Sequence, residues 1–350
     1  MDLHTILQLA VDKKASDIFI VVGQPVTFKI QGVLVRQADE CLNIEKTSAL
    51  IAEMYHNADT KELQEAQSGD DDFALSISGI GRFRVNIFRQ RGALSAVLRV
   101  VSFQLPPYEE MCIPKRVLDF SKQKKGLILV TGTAGSGKST TLTYIIDEIN
   151  KTRNCHILTL EDPIEFLHKH KMSIVSQREI GLDTKNYHKA LRAAMREAPD
   201  VILIGEMRDL ETIEIAMTAA ETGHLVLSTL HTVGAANTTD RVIDVFPSSQ
   251  QQQIRVQLSM VLNAIVSQQL LPGDTGQIPA FEILEANSAI RTMIRDAKVH
   301  QIDSIIYSSA KDGMISMDSS ILELFRMGRI SAETAISFSM NPDAMRRNLL

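Results

Sequence analysis

A chain of 350 residues is long enough for two domains, each with its own core, and 44% hydrophobic with 23% charged residues is ordinary for a globular protein. The net charge of -5 argues against a protein whose main work is coating nucleic acid, and the scattered cysteines Cys41, Cys112 and Cys155 argue against a disulfide framework or a cysteine zinc site. No apolar run is long enough to cross a bilayer, and the early Asp2 speaks against a secretory signal, so a cytoplasmic protein is expected.

Residues 1–101 read as a small α+β unit. Residues 3–11 have helical spacing, and residues 17–23 and 26–32 look like two strands ended by glycine turns. Residues 41–67 are predicted to be helical with a polar face. After the acidic residues 70–72, three segments (73–77, 82–88 and 96–100) alternate like strands of an antiparallel sheet. Residues 102–112 are the expected linker, because Pro106 and Pro107 stop regular structure and stiffen the connection.

From there, strand–helix alternation predicts a parallel sheet covered by helices over residues 113–350, with strands at 127–131, 156–160, 201–205, 225–230 and 265–270. Beyond Ala280 a mostly helical chain is expected, ending in a polar tail. The first of these strands turns through Gly132, Thr133, Ala134, Gly135, Ser136, Gly137, Lys138 and Ser139 into a helical pattern from Thr140. That order fits a phosphate loop at every defined position. Glycines let the backbone wrap phosphate oxygens, and the helix aims its unpaired N–H groups at the same anion. Lys138 would reach the β- and γ-phosphates of ATP, and the Ser139 hydroxyl would hold Mg2+.

Ligands of open parallel sheets bind outside the carboxyl ends of the strands, and the remaining candidates lie there. The second strand runs into Glu161, Asp162 and Glu165 around Pro163; the third ends in Glu206 after an apolar run; the fourth ends at His231. Glu206 could hold a magnesium-bound water, Glu161 or Glu165 could place the attacking water, and His231 could sense the γ-phosphate. Taken singly, each acid is better explained as a solvated helix cap and His231 as a satisfied core or loop histidine. Their clustering beside a phosphate loop is what favours catalysis.

These residues carry a family resemblance. The chain resembles the type II/IV secretion and pilus ATPases, and within them the twitching-motility retraction ATPases of the PilT type. The matching segments are the loop 132–140, the acidic box 159–166, the Walker B strand into Glu206 and the histidine box 221–231. Residues 239–247 and 289–296 match as well. The resemblance implies a PAS-like N-terminal domain joined to a RecA-like ATPase domain with C-terminal helices. It implies a homohexameric ring, peripheral to the membrane at an inner-membrane pilus platform protein, that hydrolyses ATP with Mg2+ to drive pilus retraction. By the same likeness Glu165 is the catalytic glutamate, Glu206 the Walker B acid, and Arg84 and Arg99 arginine fingers, although pattern alone makes those arginines solvated strand-edge charge. Phe19 departs from the family's early Ser-Asp-x-His pattern beside Ser16 and Asp17. Extension and secretion relatives usually carry a four-cysteine zinc insert; here residues 268–276 contain no cysteine.

The expected working cycle has ATP closing the N-terminal domain onto the ATPase domain, with the linker as hinge. The helix at 289–296, with Ile290, Met293 and Ile294 on one face and Arg291, Arg295 and Asp296 outside it, would pass motion to the platform, unless it is a plain packing helix. The alternatives are a pilus-assembly or type II secretion ATPase, a nucleic-acid motor and a non-hydrolysing nucleotide-gated regulator. The second of these should show basic loops with aromatic stacking residues; no such cluster is present, and the chain has no tryptophan.

Overall fold

The computed structural model describes residues 1–30, 32–58, 70–101, 105, 108–274, 276–309 and 313–349. The chain forms two compact units, Met1–Gln104 with Glu165–Leu167, and Leu105–Ile164 with His168–Leu350. Of the predicted linker, residues 102–104 and 106–107 lie outside the described residues, and Tyr108–Met111 is one 3-10 turn.

Among the described residues, the first unit is an antiparallel sheet with two helices. Helix α1 (Leu3–Asp12) is capped by Asp2, whose side chain accepts from the Thr5 N–H, and buries Leu3, Ile6, Leu7 and Ala10 at helical spacing. The strands are β1 (Asp17–Ile20), β2 (Thr27–Ile30), β3 (Val33–Arg36), β4 (Asp71–Ile77), β5 (Gly81–Gln90) and β6 (Ala93–Val101), in the order β3-β2-β1-β6-β5-β4. In β5 the alternation is plain: Phe83, Val85 and Ile87 are buried, while Arg84 is exposed. Helix α2 (Ile44–Ala58) is the described part of the predicted helix 41–67; residues 59–67 lie outside the described residues. Strand β3 was not anticipated.

The second unit is a sheet with helices on both faces. Its strands are β7 (Gly126–Thr131), β8 (His156–Glu161), β9 (Ile174–Glu179), β10 (Val201–Ile204), β11 (Leu225–Leu230), β12 (Leu262–Gly273) and β13 (Gly276–Glu285). The order is β13-β12-β7-β11-β10-β8-β9, and every neighbouring pair is parallel except β12 with β13. Buried on both faces, β7 sends Ile128 and Val130 to one core with α3 (Lys115–Asp119) and α4 (Lys138–Thr152), and Leu127 and Leu129 to another. That second core holds α5 (Tyr187–Ala194), α6 (Leu210–Glu221), α7 (Ala235–Asp244), α8 (Ser248–Val261), α9 (Ser288–Arg295) and α10 (Ile302–Ser308). This is the expected α/β, RecA-like arrangement. A third apolar cluster joins Leu271 and Ala280 of the β12–β13 hairpin to Met317 and Ile321 of α11 (Met317–Arg326), Ala335 of α12 (Ala332–Phe338) and Met345 of α13 (Pro342–Leu349).

Besides β3, strand β9 stands where no strand is predicted, β13 continues to Glu285 where helix is expected, and the expected polar tail is the helix α13.

Candidate functional site

Three glycines shape the loop between β7 and α4. Gly132, Gly135 and Gly137 have φ of 143, 77 and 87°, the region where a side chain is strained. At Gly132 space forbids a side chain too, since a Cβ there would stand 2.2 Å from the Gln268 carbonyl oxygen, and one on Gly137 would push on Gln268 Nε2 at 2.8 Å. Gln268 in turn accepts from Thr141 Oγ1 at 2.7 Å, which fixes the start of α4 against β12. The ammonium of Lys138 is folded onto the loop, donating to the carbonyls of Gly132 at 2.9 Å and Thr133 at 2.8 Å. Ser136 Oγ is buried with no hydrogen-bond partner among the described residues. A buried hydroxyl without a partner is costly, and a phosphate oxygen would satisfy it. The loop therefore fits a nucleotide phosphate chain by its donors, its cation and the room its glycines leave.

The ends of β10 and β11 bring two predicted residues together. Thr229 Oγ1 donates to the Gly205 carbonyl at 2.6 Å, and the Met207 N–H to the Thr229 carbonyl at 3.1 Å, so the two strands stay joined past their ends. Glu206 and His231 emerge side by side, with His231 Nε2 3.3 Å from Glu206 Oε2. The other oxygen of Glu206 receives Arg208 at 2.6 Å. Glu206 is thus a mostly buried carboxylate held by two cationic or cationisable groups, and the exposed His231 is held by it. Tyr187, at the start of α5, lies against this turn: a Cβ on Gly205 would be 2.8 Å from its hydroxyl oxygen. Burial, with Asp162, Glu206 and Glu161 nearby, pushes the Tyr187 phenol well above its ordinary range, so the ring presents a neutral hydroxyl to the acids.

The acids after β8 separate into two kinds. Glu161 Oε1 accepts from Thr159 Oγ1 at 2.7 Å and Gln177 Nε2 at 3.2 Å, a network that fixes it to its own sheet. Glu165 is exposed and belongs to the short segment that counts with the first unit. Of the two acids predicted to place water, Glu161 is committed to structure by these bonds.

In the first unit, Arg84 and Arg99 are exposed and directly opposite each other on β5 and β6. Arg99 Nε donates to Asp17 Oδ1 at 3.2 Å, and Asp17 also accepts from Ser16 Oγ at 2.9 Å. Phe19, two residues on, is half-buried in β1.

Helix α9 buries Ile290 and Ile294 with Met293 packed beside them, as its spacing predicts. Arg291 does not stand outside. Its guanidinium donates to the carbonyls of Ser259 at 2.6 Å and Met260 at 2.9 Å, so it caps the last turn of α8. Sequence spacing gave no sign of this, because the acceptors are backbone atoms of another helix.

The family model of the type II/IV secretion system proteins matches residues 1–316. The chain is 42% identical over 336 residues to the type IV pilus retraction ATPase PilT of Pseudomonas aeruginosa, covering 96% of this chain and 97% of that one. It is 42% identical over 306 residues to a twitching motility protein of Neisseria gonorrhoeae, covering 87% and 81%. A crystal structure of the pilus retraction motor PilT with bound ADP superimposes with a TM-score of 0.89 at 44% identity, covering 99% of both chains.

Proposed function

Because this chain belongs to the type II/IV secretion system protein family and is of the PilT type, we propose that it is an ATP-hydrolysing motor that drives type IV pilus retraction. The observation that carries the reading is the joint presence of the phosphate loop and the Glu206–His231 pair at the carboxyl ends of adjacent strands in one sheet. Lys138 and the amides of residues 135–138 would bind the β- and γ-phosphates. Ser139 in the first turn of α4 would contribute a hydroxyl to Mg2+, and Glu206, whose oxygens face Arg208 and His231, would act on a metal-bound water.

His231, tethered to Glu206, would follow the γ-phosphate. Glu165 would place the attacking water. Arg84 and Arg99 would neutralise charge developing on the transferred phosphoryl group, and as members of a different unit they would make hydrolysis respond to domain movement. The working form would be a homohexamer at the cytoplasmic face of an inner-membrane platform protein; among the described residues no helix is long and apolar enough to cross a membrane.

The test is pilus dynamics in a strain lacking this gene. Complementation with the natural sequence should restore retraction, and Lys138→Ala should not. Equal retraction by both would defeat the proposal.

A further inference from the structure

One buried titratable side chain of the second unit has no part in the chemistry above. Glu282, in β13, is 6% exposed. Its Oε1 accepts from the N–H of Ala235 at 2.7 Å, the first residue of α7, and its Oε2 from the N–H of Met317 at 3.4 Å, the first residue of α11. Ser267, its cross-strand partner on β12, accepts from the Gly234 N–H at 2.9 Å.

Residues 231–234 are the whole connection from β11 to α7, and that connection carries His231. It is also fastened at its middle. Thr232 Oγ1 lies 2.7 Å from Thr238 Oγ1, which donates to the Gly234 carbonyl at 2.8 Å and lies 3.4 Å from Oγ1 of Thr131, the residue before Gly132. Gly234 has φ of 88°, and a Cβ there would meet Met340 Cε at 3.8 Å and Glu282 Oε1 at 3.9 Å. Glu282 thus stands where the histidine connection, the hairpin β12–β13 and the C-terminal helices converge.

The physical consequence follows from the acceptor count. The first N–H groups of a helix have no intrahelical partner, and an anion at that end is favourable. Here each carboxylate oxygen serves one helix. Withdrawing either helix leaves a buried oxygen without a donor, which costs more than the bond itself contributes. The two helix ends are therefore held to one another through a single side chain. Burial raises the Glu282 carboxyl above its usual range, and the N–H groups of Ala235 and Met317 pull it back.

We propose that Glu282 is a positioning residue for hydrolysis: it fixes the His231 connection from behind and ties it to α11, so that a shift of His231 at the γ-phosphate is passed to α11, α12 and α13. The inference rests on the ATPase reading given above.

The experiment compares the full-length protein with Glu282→Gln and Ser267→Ala. The glutamine keeps the volume but offers one acceptor oxygen for two helix ends; the alanine frees only Gly234. Amide hydrogen exchange is followed without nucleotide and with Mg-ADP-beryllium fluoride as the γ-phosphate mimic, beside ATP turnover and fluorescent-ADP affinity. In the natural protein the mimic should slow exchange at the first amides of α11 at least threefold. Glu282→Gln should abolish that difference and speed exchange at Ala235 and Met317 even without nucleotide. It should also lower kcat about tenfold, with KM for ATP and ADP affinity unchanged. Ser267→Ala should lower kcat less and keep the α11 response. A natural protein whose α11 exchange ignores the mimic overturns the proposal, as does wild-type kcat in both variants. If Glu282→Gln does not fold, the natural protein and Ser267→Ala still decide. Absent turnover with an intact α11 response would sink the hydrolysis reading and leave the coupling standing.

Discussion

Arg84 stands directly across the β5–β6 ladder from Arg99, with both side chains on the exposed face of the sheet. Like charges in that position repel, and Asp17 is placed to relieve only Arg99. A pair kept at a cost to its own sheet suits an anion that arrives during function.

The two arginines should therefore separate when mutated. Arg84→Ala should leave the melting temperature of the protein unchanged or slightly higher, because it removes a repulsion of about 0.2–1 kcal/mol. Arg99→Ala removes the same repulsion but leaves Asp17 without its cation, so it should be less stable than Arg84→Ala by about 0.5–1 kcal/mol, a modest figure because the guanidinium is largely solvated. Both should lower ATP turnover by about 10³-fold, the range for a transition-state arginine. Turnover at the natural level in both variants would remove them from the mechanism.

Arg291 tests the corrected reading of α9. Since its guanidinium caps α8 through two carbonyls, Arg291→Ala should destabilise the fold by about 1–2 kcal/mol. Arg291→Lys should recover part of that, because an ammonium can still reach one carbonyl. Melting curves of the purified variants read this directly. An unchanged melting temperature in Arg291→Ala would show that the cap contributes nothing.

His168 gives the protein a pH dependence. Its burial pulls its pKa from 6.5 down to about 4, against the opposing pull of the Asp147 carboxylate and with a smaller push from the Lys171 ammonium. The folded state then binds fewer protons than the unfolded state between those values, so stability is complete above pH 6.5 and is lost as pH falls towards 4. The loss attributable to this group should be about 2–3 kcal/mol. Denaturant titrations at pH 7 and pH 4.5 should show a smaller difference for His168→Gln than for the natural protein. Equal differences would mean the imidazole is not held neutral by the fold.

The sequence exposes some parts of this structure because their physics is local. Strands β7, β10 and β11 are buried on both faces and read as apolar runs, broken in β11 only by Ser228 and Thr229, and the phosphate loop announces itself by glycine spacing. Strand β9, at the sheet edge, is I-V-S-Q-R-E with Val175 and Glu179 its only buried residues, so no run or alternation marks it. Strand β3 is apolar in Val33, Leu34 and Val35 yet exposed throughout, which reverses the usual sign of the pattern. Strand β13 carries Pro279 and the buried Glu282, both unfavourable to a strand by local preference. The polar residues that tie elements of the second unit together, Gln268, Glu282 and Arg291, find their partners 30 or more residues away, and nothing in the local pattern marks them. The Glu206–His231 contact lies between these cases: each residue was legible at its strand end, and the parallel register of β10 with β11 brings them together.

Phosphate release from the purified, assembled protein with Mg-ATP reads cleavage at this site without intermediaries. Turnover should require Mg2+, be abolished by Lys138→Ala, and fall at least about 10²-fold in Glu206→Gln while ADP still binds. An assembled natural protein that binds ADP but releases no phosphate, or a Lys138→Ala variant that turns over normally, would contradict ATP cleavage at this site.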